Sequence, residues 1–425
     1  MANNFLRIAS ATAFDKAVNN IGNRQGELAA LQENLTTGKR VVRPSDDPTA
    51  AAQAERALTR IARIQTEQRA LEQQRNTLAL SESTLATAND LMQEFRDLVV
   101  AGGNGANSPA ERETIAKQMV ALREQIFALA NRKDTNGLPL FSGLGSATAP
   151  FVTSLDGAPP DPDYAFNGLP GQLASTEVSV PFTMDGRATW MDVPQTNGVF
   201  NVSLGTNVNT GLPNSGRAFT DIGQVLDPSL AATEGYDYTI TFSVVNGSTT
   251  WSATNNTTAA VTSGAYVPNQ SILLGGLAVT VKGQPADGDT LEINPNDPNP
   301  ANRPSVFGVL DRAIAGMFDP GTQVGADSTS ANMNHELAIS LAQIDNSLDQ
   351  LQRSRSQAGD LLNRADRIAD TQEQRSIQLE DDRSQAEDLD MIKGIADFQN
   401  KQTGYQAALQ SYAQIQQLSL FNFIR

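Results

Sequence analysis

A chain of 425 residues with 31 basic and 47 acidic side chains carries a formal charge of −16. It has room for two or three domains with sizeable cores and is a poor match for nucleic acid or an anionic membrane. With no cysteine and a single histidine, it excludes a disulfide framework, a thiolate or multi-histidine metal site and a cysteine nucleophile.

The opening, MANNFLRIASATAFDK, lacks a basic stretch followed by an apolar run, so a cleaved signal peptide is not expected there. No stretch approaches about 18 consecutive apolar residues, so no membrane span is expected. The first predicted helix covers residues 4–36, with Phe5 near its start. Phe14, Val18, Ile21, Leu28 and Leu35 form a narrow apolar stripe of the kind that packs on another helix. The helix breaks near Gly38, in TTGKRVVRPSDDP. Asp47 is then placed to cap a second helix, with Pro48 at its first position. Along it Ile64, Leu71, Leu78, Leu85, Met92 and Val99 recur every seventh residue, while Gln68, Arg75, Glu82, Asn89 and Arg96 beside them are polar. At ~1.5 Å per residue, positions 48–100 predict a rod of roughly 80 Å, suited to a bundle. GGNGANSP turns the chain, and Ser108, Pro109 and Glu111 fit a capping box. The third helix carries Ile115, Met119, Leu122, Ile126 and Leu129 and stops near Asn136-Gly137, so residues 48–130 read as an antiparallel helical hairpin.

From about 145 to 304 glycine, proline, asparagine and threonine rise, and alternating runs appear: EVSVPF, GVFNVSLG, YDYTITFSVV and LAVTVKG. Asn246-Gly247 predicts a hairpin. The segment reads as an all-β domain of eight to ten strands. Three basic and 14 acidic residues between 151 and 300 give it a net charge of −11. That leaves −5 for the arms, which suggests a solvent-facing insert on a packing scaffold. INPNDPNPANRP is a stiff exit linker. Helix resumes near 305, with Leu337, Leu341, Ile344, Leu348 and Leu351 in register and Ala358, Leu362 and Ala365 continuing it. TQEQRSIQLEDDRSQAEDLD is polar nearly all round and is expected to join two bundle layers. A last helix, from about Asp388 to Leu420, carries Met391, Ile395, Phe398, Tyr405, Leu409 and Tyr412 at 4-3-7-4-3 spacing, with Leu418, Leu420 and Phe421 at its end.

Chemistry-bearing residues are few. His335 stands near a helix start and is read as non-catalytic. Asp381, Asp382, Glu387, Asp388 and Asp390 read as a solvated face rather than a metal cluster, and Asp287 and Asp289 as turn residues without EF-hand spacing. No nucleotide-binding glycine motif occurs, and no cofactor is expected.

Three strings carry a family resemblance. TTGKRVVRPSDDPTAAAQA (36–54) contains Pro44, Ser45, Asp46, Asp47 and Pro48. ANRKDTNGLPLFSG (130–143) ends in Phe141, Ser142 and Gly143. YQAALQSYAQIQQLSLFNFIR closes the chain. Together with the nested layout these resemble the flagellin-like axial proteins of the bacterial flagellum, over roughly 1–145 and 305–425. The second string is similar to the hook–filament junction members, although Pro139 stands where tyrosine or a similar residue is usual. The A-N-Q-x-P-Q ending typical of ordinary flagellin is absent.

The resemblance implies an α + β multidomain fold: a long helical coiled-coil bundle built from both chain ends, with the β domain inserted. The expected division is 1–45 with 386–425 as a polymerisation domain, 46–145 with 305–385 as the bundle, and 146–304 as the outer domain. It further implies an extracellular, non-enzymatic adaptor, exported without a cleaved signal peptide. Its partners would be its own copies, hook-associated protein 1, flagellin, and an export chaperone on the C-terminal region. A flagellin filament subunit is one alternative, and a secreted coiled-coil adhesin with a β binding domain is the alternative of a different class. Because a lone pair of end helices buries little against the cost of ordering it, residues 1–40 and 388–425 are expected to lack fixed structure in a free copy and to fold against neighbours.

Overall fold

The computed structural model describes residues 2–153, 164–298, 303–318 and 328–423. The chain divides into two compact units, Met1–Ala70 with Ile368–Arg425, and Leu71–Arg367. Two long helices, α2 (Pro48–Gly102) and α7 (Ser328–Glu387), contribute to both.

In the first unit, α1 (Ala2–Thr37) lies antiparallel to α8 (Met391–Phe423). The direction follows from its pairs: Leu35 meets Gly394, Glu27 bonds Lys401 at 3.2 Å, and Arg24 crosses Gly404. The expectation of ends without fixed structure is therefore not met. Parts of the two stripes meet, and both ends are helical. Gly38, at φ 73°, turns the chain out of α1. The next residues stitch it to the end of α7: Arg40 N donates to Glu387 O at 2.7 Å, and Arg40 Nη2 to Ala386 O at 2.7 Å. Lys39 pairs with Glu387. Val41, Ala50, Ala54 and Ala386 form a small core beneath this joint. Asp47 caps α2 as expected, its Oδ1 accepting from Thr49 N at 3.2 Å and Ala50 N at 3.0 Å. These bonds hold its carboxyl below the usual range.

In the second unit the seven-residue stripe of α2 is core: Leu78, Leu85, Met92 and Val99 are all fully buried. The polar companions that narrow the stripe pair with α7. Arg75 bonds Asp366, Glu82 bonds Arg355 and Arg96 bonds Asp345, each at 2.7 Å. Asn89 reaches Gln352 at 3.0 Å. Their order makes this contact antiparallel as well. The third helix, α3 (Pro109–Ala130), starts with the predicted capping box, Ser108 and Glu111 each satisfying the other's backbone N–H. Arg132, just past its end, reaches back to Thr84 of α2 at 3.3 Å, as an antiparallel hairpin requires.

The β region holds eleven strands among the described residues, one more than the upper expectation. Strands β1 (Phe151–Thr153) and β2 (Tyr164–Phe166) form a ribbon. After the short helix α4 (Gly186–Trp190) come β3 (Phe200–Leu204), β4 (Phe219–Thr220), β5 (Gln224–Val225) and a second short helix α5 (Pro228–Glu234). Then follow β6 (Tyr238–Val245), β7 (Ser248–Asn255), β8 (Val261–Ala265), β9 (Ser271–Leu274), β10 (Leu277–Lys282) and β11 (Thr290–Pro295). One antiparallel sheet has the order β3-β11-β6-β7-β8; in the other, β10 pairs with β4, β5 and β9. Phe200, Ile240, Phe242, Val279 and Leu291 share one core between them. Asn246 and Gly247, at φ 49° and 81°, make the predicted two-residue hairpin turn between β6 and β7.

EVSVPF, expected as a strand, is not one. Residues 177–182 belong to an irregular strap lying on helices. The N–H that would enter a sheet ladder, on Val180, bonds Gln74 Oε1 of α2 at 3.0 Å instead. On α7, Asn346 Nδ2 donates to the carbonyls of Pro194 and Thr196 at 2.9 and 2.8 Å. Gln350 Nε2 donates to those of Ala188 and Met191 at 2.9 and 2.6 Å. Gln357 reaches the Gln172 side chain at 2.9 Å, and Arg364 the Thr176 carbonyl at 3.2 Å. Amides at roughly heptad spacing thus replace a strand neighbour. The β region and helices also meet through α6 (Val306–Phe318), whose Phe307 lies among Phe127, Phe151, Tyr164 and Trp190. There the Tyr164 hydroxyl donates to Asp311 at 2.5 Å, and Arg123 pairs with that carboxylate at 2.9 Å. Burial and the neighbouring carboxylate both raise the phenol pKa.

The polar stretch expected to join two layers is a continuous part of α7, which runs unbroken to Glu387. Gln, Glu and Arg supply helix propensity along residues 371–387, and no glycine or proline occurs there.

Candidate assembly interface

An α-helix that packs fully against its neighbours shows one stripe at near-zero exposure, as α2 does. The end helices do not. Between residues 15 and 40 and between 391 and 414, no side chain larger than hydrogen is buried.

The predicted stripes divide into two sets. Ile21, Leu28 and Leu35 on α1, and Phe398, Tyr405 and Tyr412 on α8, are half-buried along the α1–α8 contact. Val18, Met391, Ile395 and Leu409 remain 44%, 45%, 48% and 41% exposed. Phe5, Phe14, Leu418, Leu420 and Phe421 lie outside the residues whose side chains are described. Among the described side chains of the end helices the most exposed large apolar one, Ile392 at 85%, was not among the predicted residues. It sits one position off the heptad frame, beside Met391, where a strict 4-3 count passes over it. Met391, Ile392 and Ile395 together make a bare apolar patch on the first turn and a half of α8.

Glycines sharpen the contrast between the two sides. A Cβ on Gly394 would lie 2.9 Å from Leu389 and 3.2 Å from Leu35, and one on Gly404 would lie 2.6 Å from Arg24. These two permit close approach of α8 to α1. Gly22 and Gly26 on α1 have nothing within 4 Å.

Of the family-motif residues, Pro44, Ser45, Asp46 and Pro48 are exposed and Asp47 is half-buried, all in the joint where α1, α2 and α7 meet. Asp46 Oδ2 accepts from Arg43 N at 2.8 Å, so both aspartates close turns. Phe141, Ser142 and Gly143 are buried. The Phe141 ring packs edge-on to Trp190, and Gly143 leaves no room for a side chain, its would-be Cβ lying 2.2 Å from Leu169 O. That string is a structural joint at the base of the β region.

The remaining candidates are accounted for by packing. Glu387 pairs with Lys39, and Asp390 caps α8 through Ile392 N and Lys393 N at 3.1 Å each. Asp289 is buried, its carboxylate taking N–H bonds from Asn207, Ser215, Gly216 and Ala286. Donors occupy the lone pairs a cation would need. His335 is 2% exposed, with Nδ1 3.1 Å from Thr220 Oγ1 and Nε2 unpartnered. Desolvation lowers its pKa to about 4, which holds the ring neutral. No described helix is long and apolar enough to cross a membrane.

Residues 8–146 match the bacterial flagellin N-terminal helical region and residues 341–424 the bacterial flagellin C-terminal helical region. Flagellar hook-associated protein 3 of Salmonella typhimurium is 35% identical over 154 residues, 36% of this chain and 48% of that protein. Its Escherichia coli counterpart is 35% identical over 148 residues, 34% of this chain and 46% of its own. The chain thus spans about half the length of these curated relatives. Flagellin of Xenorhabdus nematophila is more distant, 26% identical over 127 residues, 30% of this chain and 41% of its own. Among solved structures, the flagellar junction protein FlgL from Legionella pneumophila superimposes with TM-score 0.64 at 26% identity, covering 74% of this chain and 99% of its own. FlgL of Xanthomonas campestris gives TM-score 0.60 at 25% identity, covering 71% and 92%.

Proposed function

This chain belongs to the flagellin-like family of bacterial flagellar proteins and is a homologue of flagellar hook-associated protein 3; we propose that it serves as a hook–filament junction subunit whose end helices complete their packing on neighbouring subunits. In this reading its role is structural rather than enzymatic, and it acts outside the cell after export through the flagellar route. Hook-associated protein 1 lies on one side of it and flagellin on the other. An export chaperone covers residues 388–425 beforehand. Residues 1–45 with 386–425 form the polymerising part, 46–145 with 305–385 the bundle, and 146–304 the outward domain.

One observation carries the reading. The end helices pair, yet Val18, Met391, Ile392, Ile395 and Leu409 stay 41–85% exposed, whereas Leu71, Leu78, Leu85, Met92 and Val99 along the stripe of α2 are buried. Exposed apolar stripes at helical spacing suit a further helix. The predicted interface residues on both ends are proposed as that contact, with Ile392 added.

The test is a double substitution, Ile392→Asp with Ile395→Asp, neither of which removes a buried side chain. The purified variant should unfold like the parent. In cells lacking the parent it should leave hooks in place while flagellin is shed into the medium. Filaments of normal length on cells making only this variant would overturn the proposal.

A further inference from the structure

In the string TTGKRVVRPSDDP the middle residues take no part in the open stripes of the end helices. They close the far end of α7 instead. The last carbonyls of an α-helix have no partner within the helix. Those of α7 face the connection between α1 and α2. Glu387 O accepts from Arg40 N at 2.7 Å and from Val41 N at 3.3 Å, and Ala386 O accepts from Arg40 Nη2 at 2.7 Å. In return Leu389 N, in the connection between α7 and α8, donates to Gly38 O at 2.9 Å. The two connections thus form an antiparallel bridge in which Lys39 stands opposite Asp388. A cation suits this place, because carbonyls at a helix C-terminus carry partial negative charge. The Arg40 guanidinium also reaches Asp47 Oδ2, on the cap of α2, at 3.4 Å. Arg43 ties the same connection back to α1 through Glu33 at 2.8 Å. Four helices meet at one clasp, and the Arg40 side chain touches the ends of two of them.

We propose that Arg40 is a positioning residue for assembly: it holds the α1–α2 connection on the end of α7, so that the paired end helices leave the clasp at one angle. The inference rests on the reading that α1 and α8 pack on neighbouring subunits, and adds what aims them. Only Asp388, Leu389 and Asp390 separate α7 from α8. A joint of that length swings on a few backbone dihedrals unless something holds it. A neighbour needs the open stripe in one orientation, and every other orientation lowers the fraction of chains competent to bind. Lysine is no equivalent here. Its ammonium is a point charge, whereas the planar fork of arginine spans Ala386 O and Asp47 together.

With no cysteine in the chain, labels can be placed at chosen sites. Gln25→Cys on α1 and Gln53→Cys on α2, both exposed, carry spin labels whose distance distribution reads the angle. Adding Arg40→Ala should widen that distribution about twofold, and Arg40→Lys should widen it as well. Helix content and the urea midpoint, followed by circular dichroism, should stay those of the parent. Loss of helix in place of widening would overturn the inference, since Arg40 would then only stabilise the fold. An unchanged distribution would overturn it too. In cells, Arg40→Ala should cost filament growth. Lys39→Cys with Asp388→Cys, opposed at a spacing a disulfide spans, should restore growth to the Arg40→Ala chain when oxidised, and reductant should abolish it again. No recovery on oxidation, or filaments of normal length with Arg40→Ala alone, would sink the clasp. If the Ile392→Asp, Ile395→Asp variant fails to support filaments in that same experiment, the interface reading stands and only the role of Arg40 falls.

Discussion

His335 provides a test that reports directly on how the second unit is packed. The perturbation is acidification from pH 7 to pH 5. In the unfolded chain the imidazole titrates near 6.5, and in the fold burial lowers it to about 4, so the proton is taken up by the unfolded chain first. Stability is therefore fully present above pH 6.5 and is lost as pH falls towards 4. At ~1.4 kcal/mol per pKa unit, the gap corresponds to about 3 kcal/mol in total, of which about 2 kcal/mol is gone by pH 5. Thr220 Oγ1 at 3.1 Å can accept from or donate to Nδ1; backbone contacts with Thr220 and Val202 raise the pKa, but desolvation is the larger effect and no carboxylate is among the causes of the shift. The assay is urea unfolding of the parent and of His335→Gln at pH 7, 6 and 5, following tryptophan emission. Carboxylates titrate alike in both proteins and cancel in the difference. The parent should lose about 2 kcal/mol more than the variant over this range. Parallel loss in the two would refute the assignment of a dry, neutral imidazole at this position.

Three further outcomes follow from the packing. Leu85→Ala opens a hole in the fully buried stripe of α2 and should cost about 2–5 kcal/mol, measured by chemical unfolding. Gln350→Ala leaves the carbonyls of Ala188 and Met191 without their donor and should cost about 1–3 kcal/mol, with hydrogen exchange quickening across the strap. Gly22→Ala with Gly26→Ala has open space at both sites, and should stabilise α1 by about 1 kcal/mol each, read as slower hydrogen exchange along α1.

What was legible in the sequence was whatever local chemistry decides. The strict period of Leu71, Leu78, Leu85 and Met92 marked a core stripe because a seven-residue repeat holds one helix face on a partner. Ser108 with Glu111 marked a helix start, and Asn246-Gly247 a turn, because so few residue types fit those backbone positions. The misses are places where a distant partner decides. EVSVPF alternates as a strand does, but nothing local reveals that Gln74, more than a hundred positions earlier, will take the Val180 N–H. Nothing local marks Asn346 and Gln350 as donors to the strap, for the same reason. Ile392 escaped because a 4-3 count begun at Met391 passes over the residue beside it.

The two ways of using helices in this chain have different consequences. Along α2 and α7 the apolar seam is closed, and ion pairs such as Arg75–Asp366 and Arg96–Asp345 border it, so that register is set within one molecule. Along α1 and α8 the borders are also set, by Glu27–Lys401 and the close approach at Gly394 and Gly404, but the seam is left half open. Direction and register of the end helices are thus determined before any neighbour arrives, while much of their apolar surface is not yet used. On the proposed reading, a neighbour that covers it would meet helices already paired, and so would bear less of the entropic cost of folding the ends. On the proposed reading this unused burial stabilises contacts between copies, and the aspartate pair at 392 and 395 removes its most exposed part while leaving the half-buried α1–α8 contacts in place.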